Sequence, residues 1–458
     1  KSKQCYVVVS EIAKNKTGKK KIVVAGILAA LAMQTAGVTD VEAAPIPGDL
    51  ASTSFANGTV GSGKTNGLAI GNASNSGSNQ SIAIGYFSEA TAPEVTPAAL
   101  PATAVGAGAK AIGYSTVALG LSAQAKADSA TALGSKTSAT GDRSVAVGIN
   151  AAATADSATA LGSKTSATGD RTVAVGSDAK ATGRYASTFG ADASAVGNAT
   201  AVGANSLASV DAAVAVGTDS KATGNYASAL GAGATASDNE STAFGHGTVA
   251  SGSSSTALGS RAKAGGVAGV GIGMLANATN QYGVAIGGES SSSADNSIAI
   301  GRKSSVTGEN GIAIGAFTTS KGANGVAVGT NGTTAVLGGV AVGQAAKSNK
   351  FNSVAMGMNV TADSDNSVAL GGSASANSDG TIAIGSYGST PTKATGNRAL
   401  AIGSATTANG LESIAIGSRV NSTSQHSIAI GTRANASAVK SVAIGPDSRA
   451  TVDGGVAL

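Results

Sequence analysis

The chain has 458 residues with no Trp, 3% aromatics and 66 Gly, and Ala carries much of its 42% apolar content. A chain this long usually folds as two or three domains with bulky cores, and this composition excludes that. The formal charge of +5 is local: residues 1–43 hold seven Lys against Glu11, Asp40 and Glu42, leaving 23 basic and 22 acidic residues, so no nucleic-acid partner is expected.

In chain order, the first element is an export signal. Lys19-Lys20-Lys21 precede the apolar run Ile22 to Met33, and Val41-Glu42-Ala43 supplies an A-x-A-like cleavage site. The run is about a dozen residues, too short to span a bilayer, so cutting after Ala43 is expected. Cys5 is the sole cysteine, which excludes disulfides within the chain and cysteine-based metal sites.

Residues 44–67 form a lead-in segment. Within it Gly58 to Thr65 reads GTVGSGKT, which fits the phosphate-loop pattern GxxxxGKT letter for letter. That chemistry needs a hydrophobic strand before the loop and a helix after it, so that backbone amides converge on phosphate. Neither flank is present here, and a Gly-rich chain produces such coincidences. No nucleotide site is expected.

From residue 68 to 458 a tetrad of small residue, apolar residue, Ala and aliphatic residue closes on Gly every fourteen residues. Gly134, Gly148, Gly217, Gly301, Gly371 and Gly431 are six of these closing glycines. A fixed short period is the signature of a solenoid. With the closing Gly as position zero, position 12 is Ala almost throughout, with Thr188 and Gly271 as departures. Position 13 is always apolar, and positions 3 and 5 are small. Alternation over positions 10 to 13 predicts one strand, positions 3 to 5 predict a second, and glycines make the corners, where positive φ is needed. The fold class is therefore all-β, a coil of fourteen residues per turn, about 28 turns and on the order of 130 Å long at ~4.8 Å per turn.

Such a coil is one small side chain thick. Alternate residues point to opposite faces, so Ala and Ser are placed inside and the branched aliphatics outside. Val145, Val147, Val175, Ile298, Ile300, Val368, Leu370, Ile414, Ile416, Ile428 and Ile430 then form an outward apolar stripe. Burying one such group is worth roughly 1.5–3 kcal/mol, and an uncovered stripe is an aggregation liability. Identical copies around a rotation axis cover it most simply; the period does not fix how many.

Two insertions interrupt the period, near 86–104 with Pro93, Pro97 and Pro101, and near 386–399 with Pro391. The step also slips to thirteen between Gly190 and Gly203. His246 and His426 are the only histidines and stand far apart in register, so no catalytic triad or histidine metal site is expected. Asp295-Asn296 and Asp365-Asn366 read as corner turns. Tyr185, Tyr226, Tyr282, Phe317, Phe351 and Tyr387 are candidate surface contacts.

SIAIG at 81–85, NSIAIG at 296–301 and NSVALG at 366–371, in the fourteen-residue register, resemble the head repeats of YadA-like trimeric autotransporter adhesins. The segment before the apolar run likewise resembles the extended signal peptide of large autotransported surface proteins. The resemblance covers about residues 68–458. It implies a left-handed parallel β-roll, a homotrimer and display on the outer membrane of a Gram-negative cell, with Val368 and Leu370 facing the trimer and Ser367 and Ala369 the coil interior. The family's stalk heptads and membrane-anchoring barrel strands are not found here, and the chain stops at Leu458, one residue short of its next Gly, as a truncated piece would.

The expected function is that of a non-enzymatic adhesin head without cofactor or small-molecule substrate. Its expected partners are further copies of itself and host matrix proteins, host-cell receptors or other bacteria, bound through many weak contacts. The rivals are a passive surface spacer and an ice-binding-type solenoid, which would need a regular Thr array. A polysaccharide-degrading β-helix would need wider coils and clustered carboxylates.

Overall fold

In this computed structural model the described residues are 52–55, 58–62, 64, 66–93, 100–331, 334–385 and 390–458. The export signal with Ala43, and Tyr387, lie outside them. All regular structure among the described residues is β-strand, from β1 (Ser52–Phe55) to β57 (Val456–Ala457).

The strands alternate in length, and each stacks in parallel on the equivalent strand of the next coil. Thr131–Leu133 pairs with Val145–Val147, and that with Thr159–Leu161, in the register Ala132↔Ala146↔Ala160. The shorter Ser138–Ala139 pairs with Ala152–Ala153, and that with Ser166–Ala167. Two ladders result, a long-strand sheet and a short-strand sheet lying back to back. Backbone groups are satisfied between coils, as in Thr131 N to Ser144 O at 2.9 Å and Gly134 N to Leu119 O at 2.7 Å. The expected all-β parallel β-roll is observed.

The interior is as thin as the composition requires. Thr137, Ala139, Ser144 and Ala146 are the four buried side chains of one coil. Across the described residues nothing larger than Val306, Val360 and Val420 is fully buried. Inward hydroxyls are held locally: Thr137 Oγ1 donates to Gly134 O at 2.9 Å and Ser441 Oγ to Ala438 O at 2.7 Å. Where both facing positions carry Ser, they bond across the interior, as in Ser422 to Ser427 at 2.6 Å.

Each coil has two corners, and they divide it into similar seven-residue halves. The closing glycines Gly134, Gly148, Gly217, Gly301, Gly371 and Gly431 have φ of 130°, 133°, 130°, 127°, 110° and 138°. Sequence reasoning gave positive φ to glycines alone. The structure adds a left-handed residue at each corner that need not be Gly, such as Lys136 (φ 56°), Arg143 (57°), Asn150 (58°) and Ser157 (56°). Such a conformation costs about 1–2 kcal/mol for an L-residue. It persists because its amide is claimed by the preceding coil: Lys136 N donates to Leu121 O at 2.7 Å and Arg143 N to Asp128 O at 2.8 Å.

The interruptions fall at corners and leave the ladders intact. Glu89–Thr91 pairs with Lys110–Ile112, so the ladder continues across the first insertion. Ser375 pairs with Lys393, so the ladder also continues across the second insertion. The thirteen-residue step keeps Ser187 opposite Thr200, with Gly197 (φ 67°) taking the left-handed place. Thr334 sits fifteen residues from its partner Thr319 and thirteen from Lys347, a compensated slip that the glycine ladder conceals.

Candidate interaction surfaces

The apolar stripe lies on the outer face of the long-strand sheet. Val145, Val147, Val175, Ile298, Ile300, Val368, Leu370, Ile414, Ile416, Ile428 and Ile430 are each half-buried, while the Ala between them is fully buried. Each coil therefore leaves its aliphatics outside its own interior. Some apolar members of the stripe are exposed, among them Phe244 at 53% and Met356 at 44%.

The stripe has two zones that the closing tetrads did not reveal. One column, ending on Ile300, Leu370 and their equivalents, is apolar throughout. In the other, Thr131, Thr159, Ser187, Thr200, Ser228, Thr242 and Thr256 interrupt the aliphatics. From Val270 to Val456 every strand of that sheet opens on Val, Ile or Leu. The C-terminal zone is thus apolar across its full width and the N-terminal zone across about half.

Corners carry the polar chemistry, stacked one coil apart. Tyr114 N donates to Asp128 Oδ1 at 3.0 Å, Gln281 N to Asp295 Oδ1 at 3.2 Å and Phe351 N to Asp365 Oδ1 at 3.1 Å. These carboxylates satisfy corner amides that no strand reaches, so the Asp-Asn pairs act as turn residues. Arg398, Glu412 and His426 form a three-coil column, with Glu412 at 2.7 Å from Arg398 Nη2 and 3.1 Å from His426 Nδ1. Arg433 meets Asp447 through two bonds of 2.6 Å. That hydrogen-bonded guanidinium lowers the Asp447 carboxyl below its ordinary 3.8 and raises Arg433 in turn.

The remaining candidates are scattered. Tyr185, Tyr226, Tyr282, Phe317 and Phe351 are exposed at corners, the first four in the left-handed conformation. Arg171 and Arg184 stack on the Tyr185 ring at 5.5 and 4.9 Å. Thr59–Val60, inside the phosphate-loop look-alike, is a strand paired with Asn75–Ser76, so the two residues run straight where a phosphate loop would curve. Among the described residues no group of three His, Cys, Asp or Glu is placed to hold a metal ion, and no helix is long and apolar enough to cross a membrane.

Geometry and repeat agree with a known family. The YadA head domain repeat matches residues 63–88, 101–121, 111–137, 139–165, 167–193, 197–220, 222–248, 250–273, 278–304, 307–331, 337–359, 362–387, 394–419, 422–448 and 436–458. The chain belongs to the YadA head family. Its fold is that of an adhesin head and of no enzyme family. A solved structure, the collagen-binding domain of the Yersinia adhesin YadA, is similar at 32% identity over 34% of this chain and 79% of that one, with a TM-score of 0.22. No curated protein matches the chain.

Proposed function

We propose that this YadA-type head is displayed on the surface of a Gram-negative cell as a homotrimer and attaches it to host matrix proteins, host cells or other bacteria. The observation that carries self-association is the outward stripe, and the number three comes from the family. A coil whose fully buried side chains are no larger than Val cannot hide Ile298, Ile300 and their equivalents, and three copies around an axis would cover them. Adhesion would come from weak contacts repeated on three rigid rods, gaining strength by multiplicity. Residues 1–43 would direct export with cutting after Ala43, residues 44–67 would lead in, and 68–458 would be the head. Export, domain bounds and outer-membrane display rest on the leader's pattern and on the family.

Molecular mass in solution tests the assembly. A mass of three chains is expected, and a monodisperse monomer would remove the argument. Binding to a panel of matrix proteins, collagen among them, and to bacterial and host cells tests attachment. A trimer that bound none of these would be a passive spacer.

A further inference from the structure

The outer face of the short-strand sheet, opposite the stripe, differs from the rest of the surface in charge. Its residues are mainly Ser, Thr, Asn and Lys. Among the described residues, acidic side chains lie at corners, with Glu89 and Asp363 the exceptions on this face, and Glu89 is paired with Lys110 at 3.4 Å. Basic side chains recur along it from Lys110 to Arg449, in a chain whose charges nearly balance after residue 43.

Apart from Lys110, the lysines of this face are ordered and unneutralised. Lys180, Lys221 and Lys263 occupy the same strand position, each three coils from the next through the register Lys180↔Ser194↔Leu207↔Lys221↔Thr235↔Val249↔Lys263. Lys347 and Lys393 repeat that interval through Thr361 and Ser375. Three coils are about 14 Å. All five are exposed, as are Lys126 and Lys321, and none of the seven forms an ion pair or side-chain hydrogen bond among the described residues. Corner cations are mixed in their neighbours: Arg398, Arg433 and Lys303 each have a carboxylate partner one coil away, whereas Lys136, Lys164 and Lys440 have no ion pair among the described residues and alternate along the chain with acidic corner residues such as Asp142 and Asp156.

We propose that this face is a docking track for a linear, sulfated or carboxylated polysaccharide lying along the coil axis. Charge complementarity names the anion. A single file of ammonium groups fits an extended polymer, and hydroxyls such as Thr140, Thr154 and Thr168 lie between the cations to meet sugar hydroxyls. No described aromatic lies on this face, so neither stacking on sugar rings nor stacking on bases contributes. Binding is electrostatic and salt-sensitive. The inference deepens the adhesive reading and rests on it, since copies covering the stripe leave this face in solvent.

The test uses the exported chain with heparin fragments of defined length as probe, and neutral dextran, duplex DNA and phosphatidylglycerol vesicles as comparators. Heparin should bind at low salt and dextran should not. Lys180→Gln/Lys221→Gln/Lys263→Gln should weaken heparin binding by about tenfold or more and flatten its salt dependence. The corner triple Lys136→Gln/Lys164→Gln/Lys440→Gln removes the same charge and should change it less than about twofold. Equal losses from the two triples, no retention of heparin, or tighter binding of DNA or vesicles than heparin would overturn the proposal. Mass and matrix-protein binding measured on the same samples separate its failure from failure of the trimer or of the adhesive reading.

Discussion

Gly301 and Gly315 face each other one coil apart, with no room for a side chain between them. A Cβ on Gly301 would sit 2.5 Å from the carbonyl oxygen of Gly315, and its φ is +127°. The closing glycine thus answers two demands at once, a backbone angle and a coil-to-coil approach. Gly301→Ala should destabilise the chain by at least about 2 kcal/mol, read as a lower denaturant midpoint. Gly233 has φ +65° and nothing nearer than 3.9 Å. Gly233→Asn should therefore cost no more than about 0.5 kcal/mol, because Asn tolerates that conformation. Equal losses at the two sites would refute the packing half of this account.

Inward hydroxyls divide into bonded and unbonded sets. Ser441 Oγ donates to Ala438 O at 2.7 Å, whereas Ser144, Ser255 and Ser413 are buried without a partner for Oγ. Ser78 Oγ is unbonded as well, and Ser144, Ser255 and Ser413 each follow a glycine, Gly141, Gly252 and Gly410, by three residues. Ser144→Ala should raise stability by up to about 1 kcal/mol, and Ser441→Ala should lower it by a similar amount. Unfolding of both variants at one pH decides the matter; opposite signs are required.

If copies associate through the stripe as proposed, its two zones should make that association uneven along the coils. Ile298→Thr removes apolar surface where the face is fully apolar, and Thr159→Val adds it where the face is interrupted. Relative to the parent chain, the first should weaken self-association and the second strengthen it, each by about 1 kcal/mol per chain. Sedimentation equilibrium measures both. An unchanged assembly in Ile298→Thr would place that column off the interface.

Asp447 provides a pH test with a definite sign. Its carboxyl is lowered below 3.8 by hydrogen bonding to Arg433, so the native state binds the proton less readily than the unfolded chain. The resulting stabilisation is fully present above the unfolded value and is lost as pH falls through the lowered native value. Carboxyl chemical shifts followed by NMR should give a midpoint for Asp447 below 3.8, returning toward it in Arg433→Gln. An unmoved midpoint would mean the contact does not persist in solution.

Much of this was legible because the coil has no freedom to hide its pattern. Ala at 146, 299 and 369 had to be interior, and Val or Ile beside them had to be outside, since one small layer separates the sheets. The corner residues were harder. Nothing about Lys136 or Arg143 as residue types signals a left-handed backbone, and only the bonds to Leu121 and Asp128 in the coil before impose it. The compensated slip around Thr334 was hidden for a similar reason: Gly329 and Gly343 keep their spacing while the corner between them shifts a residue.

The repeat alone decided the all-β coil, the small interior and the outward aliphatics, because side-chain alternation and interior width follow from local geometry. Stacking decided which residues become neighbours. Fourteen residues of separation turn into one strand spacing, so Glu412 meets His426, Asp447 meets Arg433, and Lys180 falls into file with Lys221 and Lys263. Those columns belong to the ladder register, which hydrogen bonds between coils establish and which no single turn contains.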